Sequence, residues 1–113
     1  MHSQNNLHSR ITGMLGLARR AGRLVIGTEQ ICRLMPKGNA APVLVLISER
    51  ASENTRKKLT TKCEFYGIEA LPLNVDMEEL GRLLGKTYAP AAVALTDASF
   101  AQAIKKLSLG DGT

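Results

Sequence analysis

From Leu7 onward, apolar residues recur at spacings of three and four: Leu7, Ile11, Met14, Leu15 and Ala18. That period is one face of a helix. Ala21-Gly22 ends it, with Gly22 in the left-handed position after the last turn. Leu24-Val25-Ile26 reads as a short strand. Gly27-Thr28 then opens a second helix with Ile31, Leu34 and Met35 on its apolar face, and Pro36 to Asn39 stops it. The continuous run Pro42 to Ile47 reads as a central strand covered on both faces. Ser52 is an N-cap for a third helix, which runs to about Tyr66 with Thr55, Leu59, Cys63 and Tyr66 inward. Ile68 to Leu73 is a strand that Pro72 keeps out of the middle of the sheet. Asp76 with Glu79 resembles a capping box before a short helix, Met77 to Leu84. After a loop from Gly85 to Pro90, Ala91 to Thr96 is another strand. Asp97 caps a last helix with Phe100, Ala103, Ile104 and Leu107 inward.

Alternating helices and strands of this kind give an α/β class, a mainly parallel or mixed sheet between helical layers. Residues 1–6 read as a disordered tail, 7–107 as a single domain and 108–113 as a C-terminal tail. At 113 residues the chain can bury a core without disulfides. Aromatic residues are only 4% and Trp is absent, so that core is built from Leu, Ile, Val and Ala. No apolar run approaches the roughly 20 residues of a membrane span. The polar start, Met1 to Arg10, lacks the apolar stretch of a signal peptide, which points to the cytoplasm. Cys32 and Cys63 form no close pair and are expected as reduced, buried or half-buried thiols.

Charge sharpens the picture. The net charge is +5 and the sequence pI about 9.6. Residues 1–62 carry 11 Lys or Arg against 3 Asp or Glu, while residues 63–113 carry 4 against 7. A basic region on an otherwise acidic frame favours a polyanionic partner. It is equally the pattern of a solvated basic surface.

No catalytic constellation organises a nucleophile or a base. His2 and His8 lie in or beside the tail and read as solvated. No metal spacing, P-loop, dinucleotide motif or Gly-x-Ser-x-Gly is present. Gly13 and Gly16, on the first helix, read as points of close packing. No cofactor and no metal are expected.

Binding features are clearer. Gly27, Thr28, Glu29 and Gln30 sit at a helix start, where free N–H groups suit phosphate. Glu29 can accept from the donors of a guanine edge, and Gln30 can pair with several base edges. Arg33 and Lys37 follow at spacings of four and would share one face. The plainer reading of Glu29 is a first-turn acid paired with Arg33. Arg56, Lys57, Lys58 and Lys62 form a second basic patch or an ordinary solvated face. Glu49 and Arg50 follow Ser48 at the C-terminal end of a strand, a common place for binding groups in open α/β sheets. In the loop Lys86 to Ala91, Tyr88 could stack on a base or cover a core edge, with Ala89, Pro90 and Ala91 beside it.

Seven segments in this order resemble one known family. They are Leu15 to Leu24, Gly27 to Arg33, Val43 to Ile47, Ala51 to Thr55, Lys62 to Gly67, Glu79 to Lys86 and Ala91 to Leu95. Together they resemble the YlxQ-type bacterial branch of the kink-turn-binding ribosomal proteins, over residues 7 to 107. The resemblance implies a three-layer α/β/α sandwich with a mixed sheet of about four strands, the ribosomal-protein-like, Pelota-type fold. It also implies binding of structured RNA, typically a kink-turn with tandem sheared G·A pairs. It places the start of the second helix, Gly27 to Arg33, in the RNA groove. Glu29 stands where the family often has Asn, Gln30 where it has Glu, and Arg33 where it has Lys. Glu49 matches the family's acid after the central strand, and Arg50 replaces its usual Asp.

The leading expectation is therefore a non-catalytic reader of structured RNA, ribosomal RNA among the candidates, acting in translation or ribosome function. No DNA and no membrane are expected as partners, and a translation factor or the ribosome is a further contact. The alternative is a protein–protein adaptor of the translation machinery that keeps the fold with a weakened RNA site. An enzyme is the third and weakest reading.

Overall fold

The computed structural model describes residues 3–108. In chain order the elements are α1 (Ser3–Arg20), β1 (Leu24–Ile26), α2 (Thr28–Leu34), a 3-10 turn (Gly38–Ala40), β2 (Leu44–Ser48), α3 (Glu53–Tyr66), β3 (Glu69–Leu73), α4 (Met77–Leu83), β4 (Ala92–Leu95) and α5 (Ala98–Ser108). The strands form one mixed sheet in the order β1-β4-β2-β3. β4 runs antiparallel to both β1 and β2, and β2 runs parallel to β3. Pro72 lies on β3, an edge strand, where a missing backbone donor costs least.

Strand alternation divides the interior in two. Leu44 and Leu46 of β2 with Val93 and Leu95 of β4 point to one face, against Ile11, Leu15 and Ala18 of α1, Met77, Leu80 and Leu84 in and after α4, and Ala101 and Ile104 of α5. Val45 and Ile47 with Ala92 and Ala94 point to the other face, against Ile31 and Met35 in and after α2 and Leu59 and Cys63 of α3. Small alanines on β4 let the second layer lie close to the sheet. Both central strands are buried along their length, which is why they read in sequence as unbroken apolar runs.

Local chemistry sets most boundaries. Ser52 Oγ accepts from Thr55 N–H at 3.1 Å at the start of α3. Asp76 accepts from the N–H groups of Glu78 and Glu79, and Asp97 from Phe100. Four expectations need correction. The first helix starts at Ser3, not Leu7, so part of the expected tail is helical; polar residues extend a nucleated helix through backbone hydrogen bonds alone. His8 therefore sits on a helix, half-buried, rather than in a tail. Tyr66 is not inward: it is 39% exposed, because α3 ends there, past the last turn that packs on the sheet. Gly13 is exposed with open space beside it, while Gly16 faces Leu83 across ordinary contact distance. Residues 1, 2 and 109–113, which fall in the expected tails, lie outside the described residues. Cys32 is half-buried, Cys63 is buried, and both are free thiols.

Candidate functional site

The strand register draws three separated segments to one edge of the sheet. Ile26 pairs with Val93 and Ile47 with Ala92, so β1 and β2 end beside the start of β4. Backbone bonds extend this past the strands. Gly27 N–H donates to Ala92 O at 3.0 Å, Ser48 N–H to Ala91 O at 2.9 Å, and Glu49 N–H to Leu73 O at 3.2 Å. The edge thus carries, side by side, the start of α2, the β2–α3 turn and the end of the loop before β4.

Each segment has a local reason for its shape. Gly27 has φ 99°, a conformation that side chains disfavour, and it turns the chain from β1 into α2 within one residue. No side chain caps α2, so its first amides keep free donors. Thr28 is half-buried, while Glu29, Gln30 and Arg33 are exposed. Arg33 Nη1 donates to Gln30 Oε1 at 3.3 Å. Glu29 forms no ion pair with Arg33; among the described residues the one ion pair is Lys105 with Glu69 at 2.9 Å. In the β2–α3 turn, buried Ser48 accepts from Arg50 N–H at 3.0 Å through its Oγ and from Ala51 N–H at 3.1 Å through its carbonyl. This hydroxyl holds the turn that presents Arg50.

The third segment is set by Gly81. It is buried within α4, and a Cβ there would run into the carbonyl oxygen of Tyr88 and crowd Pro90 Cδ at 3.3 Å. Lys86 N–H also donates to Gly81 O at 2.7 Å. The loop is laid against the helix, with Pro90 buried, Ala89 exposed and the Tyr88 side chain 53% exposed. A cleft of about 730 Å³ opens beside it, bordered by Arg50, Asn74, Asp76, His8 and Ala89 to Ala91. Its charge is mixed, with Arg50, Asp76 and Glu78 all lining it. Among the described residues no cluster of His, Cys, Asp and Glu could hold a metal ion. No helix is long and apolar enough to cross a membrane, again among the described residues.

Residues 9–105 match the model of the family described as "Ribosomal protein L7Ae/L30e/S12e/Gadd45 family". The chain belongs to this family. It is 41% identical over 98 residues to the RNA-binding protein YlxQ of Bacillus subtilis (strain 168), covering 87% of this chain and 92% of that protein. It is 33% identical over 98 residues to the RNA-binding protein YlxQ of Enterococcus faecium, covering 86% of this chain and 89% of that protein. These relatives make it a YlxQ-type member. Among solved structures, a Bacillus halodurans C protein with unknown function superposes with TM-score 0.74 at 33% identity, over 86% of this chain and 94% of that one. The Giardia lamblia 15.5kD RNA binding protein superposes with TM-score 0.68 at 12% identity, over 93% of this chain and 87% of that one, a likeness of fold.

Most of the residues singled out in the sequence of this family member meet on the one edge. Gly27 to Gln30, Arg50 and Ala89 to Ala91 are brought there, with Tyr88 at the loop crest. Glu49 is at the same turn, yet it borders a different groove of about 220 Å³, with Arg56 and Pro72, between α3 and β3. Lys37 is displaced. α2 stops at Leu34, so Lys37 lies in the turn ahead of Gly38 and not on the helical face of Arg33. Pro36 explains this: it has no N–H to extend the ladder, and Lys37 N–H closes a tighter turn onto Leu34 O at 3.0 Å. Arg19, Arg20 and Arg23 lie toward the opposite edge: Arg23 O accepts from Thr96 N–H at the far end of β4. Ser48 and Gly81 organise the site; the strand-end position points to Ser48 along with Glu49 and Arg50, and Gly81 is the residue that sequence reasoning misses. A glycine inside an amphipathic helix was the available signal for Gly81.

Proposed function

We propose that this protein is a non-catalytic RNA-binding protein that reads a structured element, a kink-turn or related internal loop, in the cytoplasm during translation or ribosome function. The observation that carries the reading is the single sheet edge on which Gly27 and the Ser48–Arg50 turn are joined by backbone hydrogen bonds to Ala92 and Ala91. Relatives named as RNA-binding proteins support it.

Glu29 and Gln30 would read base edges from the start of α2, and its uncapped amides would meet a phosphate. Arg33 and Arg50 would neutralise backbone charge from two sides. The cleft beside Ala89 to Ala91 is large enough for an extruded nucleotide, and Tyr88, which lines the neighbouring groove with Ala89, offers a stacking surface next to it. Because Gln30 is already engaged by Arg33, the pair would act as one unit.

The test compares wild type with a Glu29→Ala, Gln30→Ala double variant on a kink-turn RNA and on a scrambled RNA of the same length. Base-reading contacts predict roughly a tenfold or greater loss on the kink-turn and little change on the scrambled strand. Equal losses on both would contradict the assignment.

A further inference from the structure

The chain has only four aromatic residues, two Phe and two Tyr, and an aliphatic core. Phe65 is 80% exposed and Tyr66 39% exposed at the end of α3, their rings in edge-to-face contact with centroids 4.9 Å apart. Aromatic side chains are the largest source of burial available to a fold, yet Phe65 is left in solvent.

The helix that carries this pair also holds four basic residues, Arg56, Lys57, Lys58 and Lys62, against two acids, Glu53 and Glu64. Lys58, Lys62 and Phe65 follow at spacings of four and three and share one flank. Glu53, Lys57 and Glu64, at spacings of four and seven, take the other flank. Neither Lys58 nor Lys62 has a carboxylate partner among the described residues. Lys62 is half-buried, its stem lying along the protein while the charge reaches water. The buried side of the helix is Leu59 and Cys63. α3 begins four residues past Glu49, at the sheet edge described above, and its 14 residues carry the chain about 20 Å away from it. This basic flank thus starts about 8 Å along the helix from the proposed RNA site and ends in the exposed aromatic pair.

We infer that the Lys58–Lys62–Phe65 flank with Tyr66 is a second contact surface for the same RNA, one that takes unpaired nucleotides leaving the structured element. This rests on the RNA-binding reading above. The chemistry fits one occupant. Lysines without protein partners attract a phosphate backbone, and a paired aromatic platform stacks bases without regard to sequence. A distance of about 20 Å corresponds to roughly six stacked nucleotides at 3.4 Å each.

The probe is a model kink-turn RNA, alone and with a single-stranded tail of about twelve uridines, long enough to span that distance. The tail is expected to tighten wild-type binding roughly tenfold. Phe65→Ala is expected to lose that gain and to bind the tail-less RNA as wild type does. Substituting Lys58→Gln and Lys62→Gln should flatten the salt dependence on the tailed RNA only. Thermal unfolding checks that Phe65→Ala, a change at an exposed side chain, leaves the fold intact. A wild type that gains nothing from the tail, or a Phe65→Ala variant that keeps the gain, overturns the inference; binding of the tail-less RNA then still stands for the primary reading. Loss of all RNA binding in wild type overturns both. Self-association abolished by Phe65→Ala, without any tail effect, would assign the pair to a second copy of this chain and overturn it too.

Discussion

The two helical layers cover the same sheet with different materials. The layer of α1, α4 and α5 buries Leu15, Leu80, Leu84 and Ile104 against Leu44, Leu46, Val93 and Leu95. The layer of α2 and α3 is thinner, with Ile31, Met35, Leu59 and Cys63 over Val45, Ile47 and the alanines of β4. Fully burying a large aliphatic side chain contributes roughly 1.5–3 kcal/mol, so the first layer holds most of the stability. The second layer carries the proposed RNA contacts of α2 and the basic track of α3. Apart from the loop that rests on Gly81 of α4, the thick layer keeps the frame, and surface chemistry on the thin layer is free to vary.

This division can be broken from either side. Ile104→Ala, fully buried in the thick layer and not lining the cleft, is expected to cost roughly 2–5 kcal/mol. RNA affinity measured well below its lowered melting temperature should stay within a few-fold of wild type. A large loss of affinity there would mean that the layers are not independent. In the thin layer, Ala94→Leu should force α2 off β4 at a cost of roughly 1–3 kcal/mol. It should weaken RNA binding even where the protein remains folded. Unchanged binding would show that the position of α2 does not matter.

Burial in the thin layer also makes an alkaline signature. Desolvation of Cys63, with the nearby Cys32 thiol adding to it, raises the Cys63 pKa from 9.0 to about 11. The folded state thus holds this proton more tightly than the unfolded one. Its contribution is fully present below pH 9 and is lost as pH rises towards 11. Denaturant unfolding between those values should therefore show a steeper loss in wild type than in Cys63→Ala; parallel curves would contradict the burial argument. Gly81→Ala meets backbone rather than a flexible side chain, so the roughly 1 kcal/mol by which alanine favours a helix is outweighed by displacement of the Tyr88–Pro90 backbone. A lowered melting temperature together with weakened RNA binding is the expected pair of results, and wild-type binding would remove that loop from the interface.

The elements were legible in the sequence because each followed one period. Buried strands showed as apolar runs, and helices ended at Gly22 and Gly67 or began at Ser52, Asp76 and Asp97. Legibility failed where a local rule met a neighbour. Lys37 keeps the spacing of a helical face but lies past a helix that Pro36 has ended. Tyr66 continues the inward series of α3 one turn beyond the sheet it would pack on. Polar Ser3 to Asn6 carry no periodic signal, although they extend α1. At the site, Gly27 and Arg50 could be named from their places beside strand ends. Ser48 shares that place, though its hydrogen bonds were not legible; Gly81 could not be named, because its role depends on a loop that folds back onto it. The resemblance supplied the common purpose of the three segments; the strand register supplied their common edge.

The central claim is that this edge reads a folded RNA rather than merely attracting polyanions. The most direct measurement is binding of the purified protein to a model kink-turn RNA and to a plain duplex of equal length, at low and at physiological salt. Preferential binding to the kink-turn that persists at physiological salt is the expected result. Weak, equal binding to both that disappears with salt would contradict it and leave only the attraction of a basic surface.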